Sequence, residues 1–290
     1  MNAAYHRPAT LDEALAIRAA HEVEVLAGGT DVYPAKAARA GWGDRRSKDI
    51  LDISALSDLR GIREEGEHWR IGALTTWTDL IRADLPALFD GLKLAAREVG
   101  GAQIQNRGTL AGNICTASPA GDGMPNLMAL DAQVELASRK GRRLVPSASF
   151  IESYRRTACR PDEIVTAILI PKRNRATRGH FLKLGARRYL VISIVMVAGV
   201  VELDAAGRIR AARLAVGACS AVPQRLPSLE SALLGQPSAT AADVVRASHF
   251  VRLTPIDDIR GSAAYRREAA LALTRDLLRD LADNSRRRAA

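Results

Sequence analysis

An α+β fold in more than one domain is what this sequence predicts, on three observations. At 290 residues the chain exceeds one domain of about 100–200 residues. Its first part interleaves capped helices with short alternating strands. Its last part places two apolar strands ahead of several helices, the order of an α+β domain. Hydrophobic residues make up 47% and charged residues 26%, the mix of a folded chain rather than a disordered one. Aromatics are only 4%, so the core must rest on Ala, Leu, Val and Ile.

The elements follow in order. Thr10-Leu11-Asp12-Glu13 is a capping box: Thr10 can take an orphan amide of the first turn, and Glu13 can reach back. A helix to about His21 is expected. Val23-Glu24-Val25-Leu26 alternates as a strand and ends at Ala27-Gly28-Gly29-Thr30-Asp31. A helix or loop through Gly41-Trp42-Gly43 leads to a strand at Asp49–Ile53. Trp69–Ala73 reads as a strand, and Thr76 with Asp79 caps a helix to about Arg82. Leu88–Val99 has helical spacing and stops at Gly100-Gly101. Arg107 to Pro125, rich in small residues and turn formers, reads as a long loop or a ligand-bearing turn. Gln133–Leu136 and Glu163–Ile170 are further strands, the second stopped by Pro171. Ser193–Leu203 and Ile209–Ala218 form a hairpin over Asp204-Ala205-Ala206-Gly207. Ser228–Leu234, Thr240–His249 and Tyr265–Leu281 read as helices. Boundaries are expected near residues 54 and 172, giving units 1–54, 55–172 and 173–290.

Composition narrows the class. The longest apolar run, Leu190–Val201, is short of the roughly 20 residues that span a bilayer. The start, Met1 to Pro8, has no apolar secretory region, so a cytoplasmic chain is expected. Cys115, Cys159 and Cys219 form no CxxC, so no iron–sulfur cluster and no structural zinc is expected on this chain. The net charge is +10, which raises the question of nucleic acid. The Arg residues are scattered, acidic residues interleave with them, and stacking aromatics are sparse. A solvated basic surface with a basic tail, Arg286-Arg287-Arg288, explains the charge better than a nucleic-acid site.

Two turns carry the chemistry. In Val25-Leu26-Ala27-Gly28-Gly29-Thr30-Asp31-Val32, paired glycines after a strand can aim successive N–H groups into one concavity that holds phosphate oxygens. A plain chain reversal is the alternative. The turn is neither GxGxxG nor GxxxxGK[ST], which disfavours a nicotinamide Rossmann site and a nucleoside triphosphatase. In the run from Arg107 to Asp122 only those two residues are charged. Backbone of this kind can lie against a large flat ligand. Thr109, Asn113 and Ser118 can donate to phosphate or ring atoms, and Asp122 can accept from ribose or ribityl hydroxyls. A loop with capping Ser and Asp is the alternative.

Together these turns, with Ser118-Pro119, Pro125, Pro161–Val165, Phe181-Leu182-Lys183 and Pro255–Arg266, resemble the flavin subunit of the molybdenum hydroxylases, the xanthine dehydrogenase and carbon monoxide dehydrogenase family. The resemblance spans nearly the whole chain. It implies a two-subdomain FAD-binding fold of the PCMH type, followed by a C-terminal α+β domain with a small antiparallel sheet and helices. It implies noncovalent FAD here. The molybdenum cofactor would sit on a large partner subunit and two [2Fe–2S] clusters on a small one. Electrons would pass from the clusters through FAD to NAD, a quinone, dioxygen or another acceptor. The substrate would be xanthine or another purine, an aldehyde, an N-heterocycle or carbon monoxide.

Residue by residue, the resemblance places Val25 to Val32 around the FAD diphosphate. Thr109, Leu110, Ala111, Gly112 and Asn113 form a second pyrophosphate and flavin turn, with Ser118 beside it. Asp122 binds a cofactor hydroxyl, and Val165 touches the cofactor. Lys183 lies near the isoalloxazine, where a cation tunes the potential. No side chain of this chain acts as a nucleophile. Val99 stands where some relatives carry an aromatic, and Cys115 is expected to be a small buried hydrophobe. No cysteine-rich insertion follows Gly112, so no extra cluster is implied. The alternative function is a self-contained flavin oxidoreductase on the same fold.

Overall fold

The structure, a computed structural model, describes residues 3–43 and 48–283. The Arg286–Arg288 cluster and the first two residues lie outside the described residues. Strands β1 (Tyr5–His6), β2 (Val23–Leu26) and β3 (Asp49–Asp52) form a parallel sheet in the order β1-β3-β2. Helix α1 (Leu11–Ala20) precedes β2, and α2 (Val32–Gly41) follows it. The expected capping box starts α1. Thr10 Oγ1 accepts from the Glu13 amide at 3.3 Å, while Glu13 accepts from the amides of Ala9 and Thr10. Ala14, Leu15, Val23, Leu51 and Ile53 form this unit's core and pack on Leu74, Ala137 and Ile164 of the next. The first sheet therefore leans on the second, and the glycine turn after β2 points into the seam.

The second sheet is antiparallel, in the order β4-β5-β10-β6-β7, from β4 (Ile62–Glu65), β5 (His68–Gly72), β6 (Gln133–Ser138), β7 (Gly141–Pro146) and β10 (Ile164–Pro171). Between β5 and β6 run α3 (Trp77–Arg82), α4 (Asp90–Glu98), α5 (Ala102–Gln105), α6 (Leu110–Thr116) and α7 (Gly123–Ala129). After β7, α8 (Ser147–Phe150) leads into a small hairpin of β8 (Ile151–Ser153) and β9 (Arg156–Thr157). Thr76 caps α3 with Asp79 as expected, and Gly100 ends the helical stretch at φ +55. On the sheet, buried Arg70 donates to both oxygens of Glu135, at 3.0 and 2.6 Å. Burial alone would raise the Glu135 carboxyl, but Arg70 and Thr166 outweigh it and hold it below the ordinary range.

The third sheet is antiparallel, β11 (Thr177–Leu184), β12 (Val195–Leu203), β13 (Ile209–Gly217) and β14 (Gln224–Arg225) in sequential order. Helices α9 (Pro227–Leu233) and α10 (Ala263–Ala282) cover it, with Leu229, Leu233, Leu277, Leu278 and Leu281 in the core. The opposite face joins the middle unit: Met196, Ala198 and Ala215 share a core with Met124, Leu127 and Phe89. Asp131, just past α7, receives Arg173 at 2.8 Å, Arg225 at 2.9 Å, and Arg213. The last two units are thus packed through both apolar and ionic contacts. Among the described residues no helix is long and apolar enough to cross a membrane.

Two expectations are corrected. Arg107–Pro125 is not a long loop but two helices, α6 and α7, hinged at Ala117 in the left-handed conformation (φ 49). Its small residues serve close packing: a Cβ on Gly123 would stand about 3 Å from Leu110, Asn113 and Trp77. Thr240–His249 is not one helix. It forms two 3-10 segments, Ser238–Val244 and Ala247–Phe250, separated by extended Val245 and Arg246. Val244 and Val245 are β-branched and disfavour the helix interior, and burial of Ala241, Ala242 and Val245 fixes the break.

Candidate cofactor-binding site

The two glycine-bearing turns meet. A Cβ on Gly28 would stand 2.0 Å from the Arg107 carbonyl oxygen and 3.0 Å from Gly108 Cα, so only glycine allows this approach of one backbone to another. Gly29 turns the chain at φ +77, and a Cβ there would meet the Tyr33 ring at 3.0 Å. The Gly108 carbonyl accepts from the Trp77 amide at 3.1 Å, and Thr76 and Thr109 are bridged as strand partners. These contacts lock the second turn onto the start of α3, just past β5.

A cleft of about 660 Å³ opens along this junction. It is lined by Val25, Ala27, Gly28, Gly29, Thr30, Asp31 and Val32 from the first turn. Thr109, Ala111, Gly112 and Asn113 line it from the second, and Val165 from β10. Leu26 and Leu110, at 5% and 0% exposure, point into the core and shape the cleft from behind. Ser118, Asp122 and Lys183 do not line it. Ser118 accepts from the Ala120 amide and holds its own turn.

Asp122 and Lys183, singled out separately in the sequence, pair at 2.8 Å with side-chain exposures of 8% and 6%. Ser193 donates to the other Asp122 oxygen at 2.7 Å, and the Glu98 carbonyl accepts from Lys183 at 3.4 Å. Burial pushes the Asp122 carboxyl up, while Lys183 and Ser193 pull it down. The pair sits one step from the cleft wall: Asn113, which lines the cleft, accepts from the amide of Gly123, the neighbour of Asp122.

The cleft's own chemistry can be tested against FAD. Among the described residues no protein acceptor takes the N–H groups of Gly28, Gly29, Thr30 or Asp31, which stand ahead of α2. Such a set of free donors at a helix N-terminus suits the oxygens of a diphosphate. Ala73, Val99, Ile104 and Val165 supply an apolar wall suited to a flat ring. The residues present therefore fit a flavin dinucleotide. Among the described residues four cations also line the cleft. Arg39 pairs with Glu24 at 3.7 Å, Lys48 with Glu22 at 2.6 Å, and Arg155 with Asp31 at 3.3 Å. Arg18 donates to backbone carbonyls of Val23 and Glu163.

Cys115 requires correction. It is not buried in the core but faces the cleft, as does Cys159. Protein surrounding their sulfurs pushes the thiols up, to about 12 and about 11, so both stay neutral. Sequence reasoning missed the β8–β9 hairpin, which brings Arg155 and Thr157 to the cleft. Its one signal, Tyr154-Arg155-Arg156, is indistinguishable from the many other Arg residues.

Comparison with known proteins identifies the family. Residues 1–173 match the family described as FAD binding domain in molybdopterin dehydrogenase. Residues 180–281 match the CO dehydrogenase flavoprotein C-terminal domain. The chain is 31% identical over 297 residues to the nicotinate dehydrogenase FAD-subunit of Eubacterium barkeri, covering 96% of each. It is 31% identical over 268 residues to the nicotine 6-hydroxylase medium subunit of Paenarthrobacter nicotinovorans, covering 90% of this chain and 91% of that one. A chain of reconstituted CO dehydrogenase from Oligotropha carboxidovorans superposes with a TM-score of 0.87 at 26% identity, over 97% of this chain and 98% of that one. With both of its halves matched and its cleft built for a dinucleotide, the chain belongs to the family of FAD-binding subunits of molybdenum hydroxylases, an oxidoreductase family.

Proposed function

We propose that this chain passes electrons from iron–sulfur clusters of a partner subunit to NAD, a quinone, dioxygen or another acceptor, as the flavin subunit of a complex with a molybdenum-bearing large subunit. The observation that carries this reading is the cleft at the junction of the two glycine turns, with its free backbone donors. FAD, when bound, supplies the redox chemistry. The chain supplies position and access. Gly28, Gly29, Thr30 and Asp31 bind the diphosphate through backbone N–H groups. Thr109 to Asn113 form the second wall, Val99 and Val165 exclude water from the ring, and the Lys183–Asp122 pair braces that wall from behind. The three larger sheets among the described residues, within 5–52, 62–171 and 177–225, support units 1–54, 55–172 and 173–290.

The substrate would bind the molybdenum subunit. Relatives at 31% identity are named for nicotinate, nicotine and xanthine, all N-heterocycles, which supports an N-heterocycle, purines included, as the substrate class. The test is anaerobic mixing of nicotinate or a related N-heterocycle with the assembled complex and with this chain alone. Flavin bleaching only in the complex is expected. Bleaching of the isolated chain by a substrate would instead identify a self-contained oxidoreductase.

A further inference from the structure

Among the described cations that line the cleft, Arg155 is the one that pairs with the first glycine turn. It occupies the two-residue turn of the β8–β9 hairpin at φ 54, and its amide donates to the Ala117 carbonyl at 2.9 Å. Its backbone is thereby pinned to the end of α6 while its side chain crosses the cleft to Asp31. Asp31 is the N-cap residue of α2, yet its carboxylate makes no capping bond and instead accepts from Arg155. Both side chains are half-exposed, 50% and 45%, so the ion pair itself stabilises the fold little. A diphosphate at the turn would bring negative charge beside Asp31, and the two anions would repel unless a cation stood between them.

We propose that Arg155 is a cofactor-phosphate residue: its guanidinium, which pairs with Asp31 beside the first glycine turn, donates to the FAD diphosphate when the dinucleotide binds. This rests on the placement of FAD in the cleft. A planar guanidinium can donate two parallel bonds to phosphate oxygens, and the hairpin brings it there without a change in backbone. Asp31 serves to hold the free Arg155 over the cleft and competes mildly with the cofactor.

The experiment is titration of the deflavinated full chain with FAD and, separately, with riboflavin, which has no phosphate. Flavin fluorescence reads the affinity at several salt concentrations. Arg155→Ala is expected to weaken FAD about ten- to a hundredfold, the worth of a charge-assisted hydrogen bond, and to leave riboflavin unchanged. Its FAD affinity should also depend less steeply on salt. Arg155→Lys should recover part of the loss, and Asp31→Asn should bind FAD as tightly as the parent or more so. Equal weakening of FAD and riboflavin in Arg155→Ala, or no weakening, overturns the proposal. An Asp31→Asn loss equal to that of Arg155→Ala also overturns it, since the pair would then act as a structural clamp. Gly29→Val separates the two readings. If it loses FAD while Arg155→Ala does not, only the role of Arg155 falls. If it binds FAD normally, the cleft placement falls and this proposal with it.

Discussion

Gly28→Val should yield protein without flavin that takes up none from added FAD, and should lower stability by about 3 kcal/mol or more, the upper range for overpacking. The cause is the 2.0 Å approach of a built Cβ to the Arg107 carbonyl oxygen. That neighbour is backbone held by the Trp77 bond to Gly108 and by the Thr76–Thr109 bridge, so it cannot swing aside as a side chain would. The two turns must separate, and the cleft they form loses its shape. Flavin content after reconstitution and chemical denaturation are the measurements. Gly29→Ala provides a graded comparison: its φ of +77 costs an L residue about 1–2 kcal/mol, and its Cβ meets the movable Tyr33 ring. A Gly28→Val protein that binds FAD like the parent would show that the turns need not touch.

The second large effect is expected at the buried pair. Asp122→Ala leaves Lys183, 6% exposed, with a long bond to the Glu98 carbonyl and the more distant Glu98 carboxylate, and leaves Ser193 without its acceptor. Removing one partner of a buried ion pair costs about 3–5 kcal/mol. The loss falls on the join between α7 and β11, which is how the C-terminal unit is held to the cleft wall. FAD retention should therefore fall together with stability. The double variant Asp122→Ala with Lys183→Met removes the stranded charge and should regain most of the stability. Denaturation midpoints of the three proteins decide this. If the double variant is as unstable as Asp122→Ala, the cost lies in the lost Ser193 contact and the α7 turn rather than in the charge.

Local signals were legible and tertiary ones were not. The capping boxes at Thr10 and Thr76 and the hairpin turn at Asp204–Gly207 are decided by neighbours within a few residues, and the structure carries all three. Thr240–His249 carries a helical composition, but burial of Val245 at 0% exposure breaks it. The small residues of Arg107–Pro125 suggest a loop, yet they let α6 and α7 pack tightly around Trp77. For the site, both glycine turns stand out in the sequence, but their contact joins residues 28 and 107, which no local pattern predicts. Asp122 and Lys183 were each legible as polar candidates near the cofactor; that they bind each other is a fact of packing. Arg155 was invisible because its meaning depends on a hairpin of two short strands, Ile151–Ser153 and Arg156–Thr157.

Each of these expectations rests on FAD held in the cleft without a covalent bond. The direct measurement is the visible spectrum of the purified full chain, followed by acid precipitation and chromatography of the released cofactor. About one FAD per chain is expected, with the yellow colour in the supernatant. A colourless chain that takes up no added FAD would contradict it and make the two glycine turns structural; colour retained in the pellet would contradict the noncovalent site.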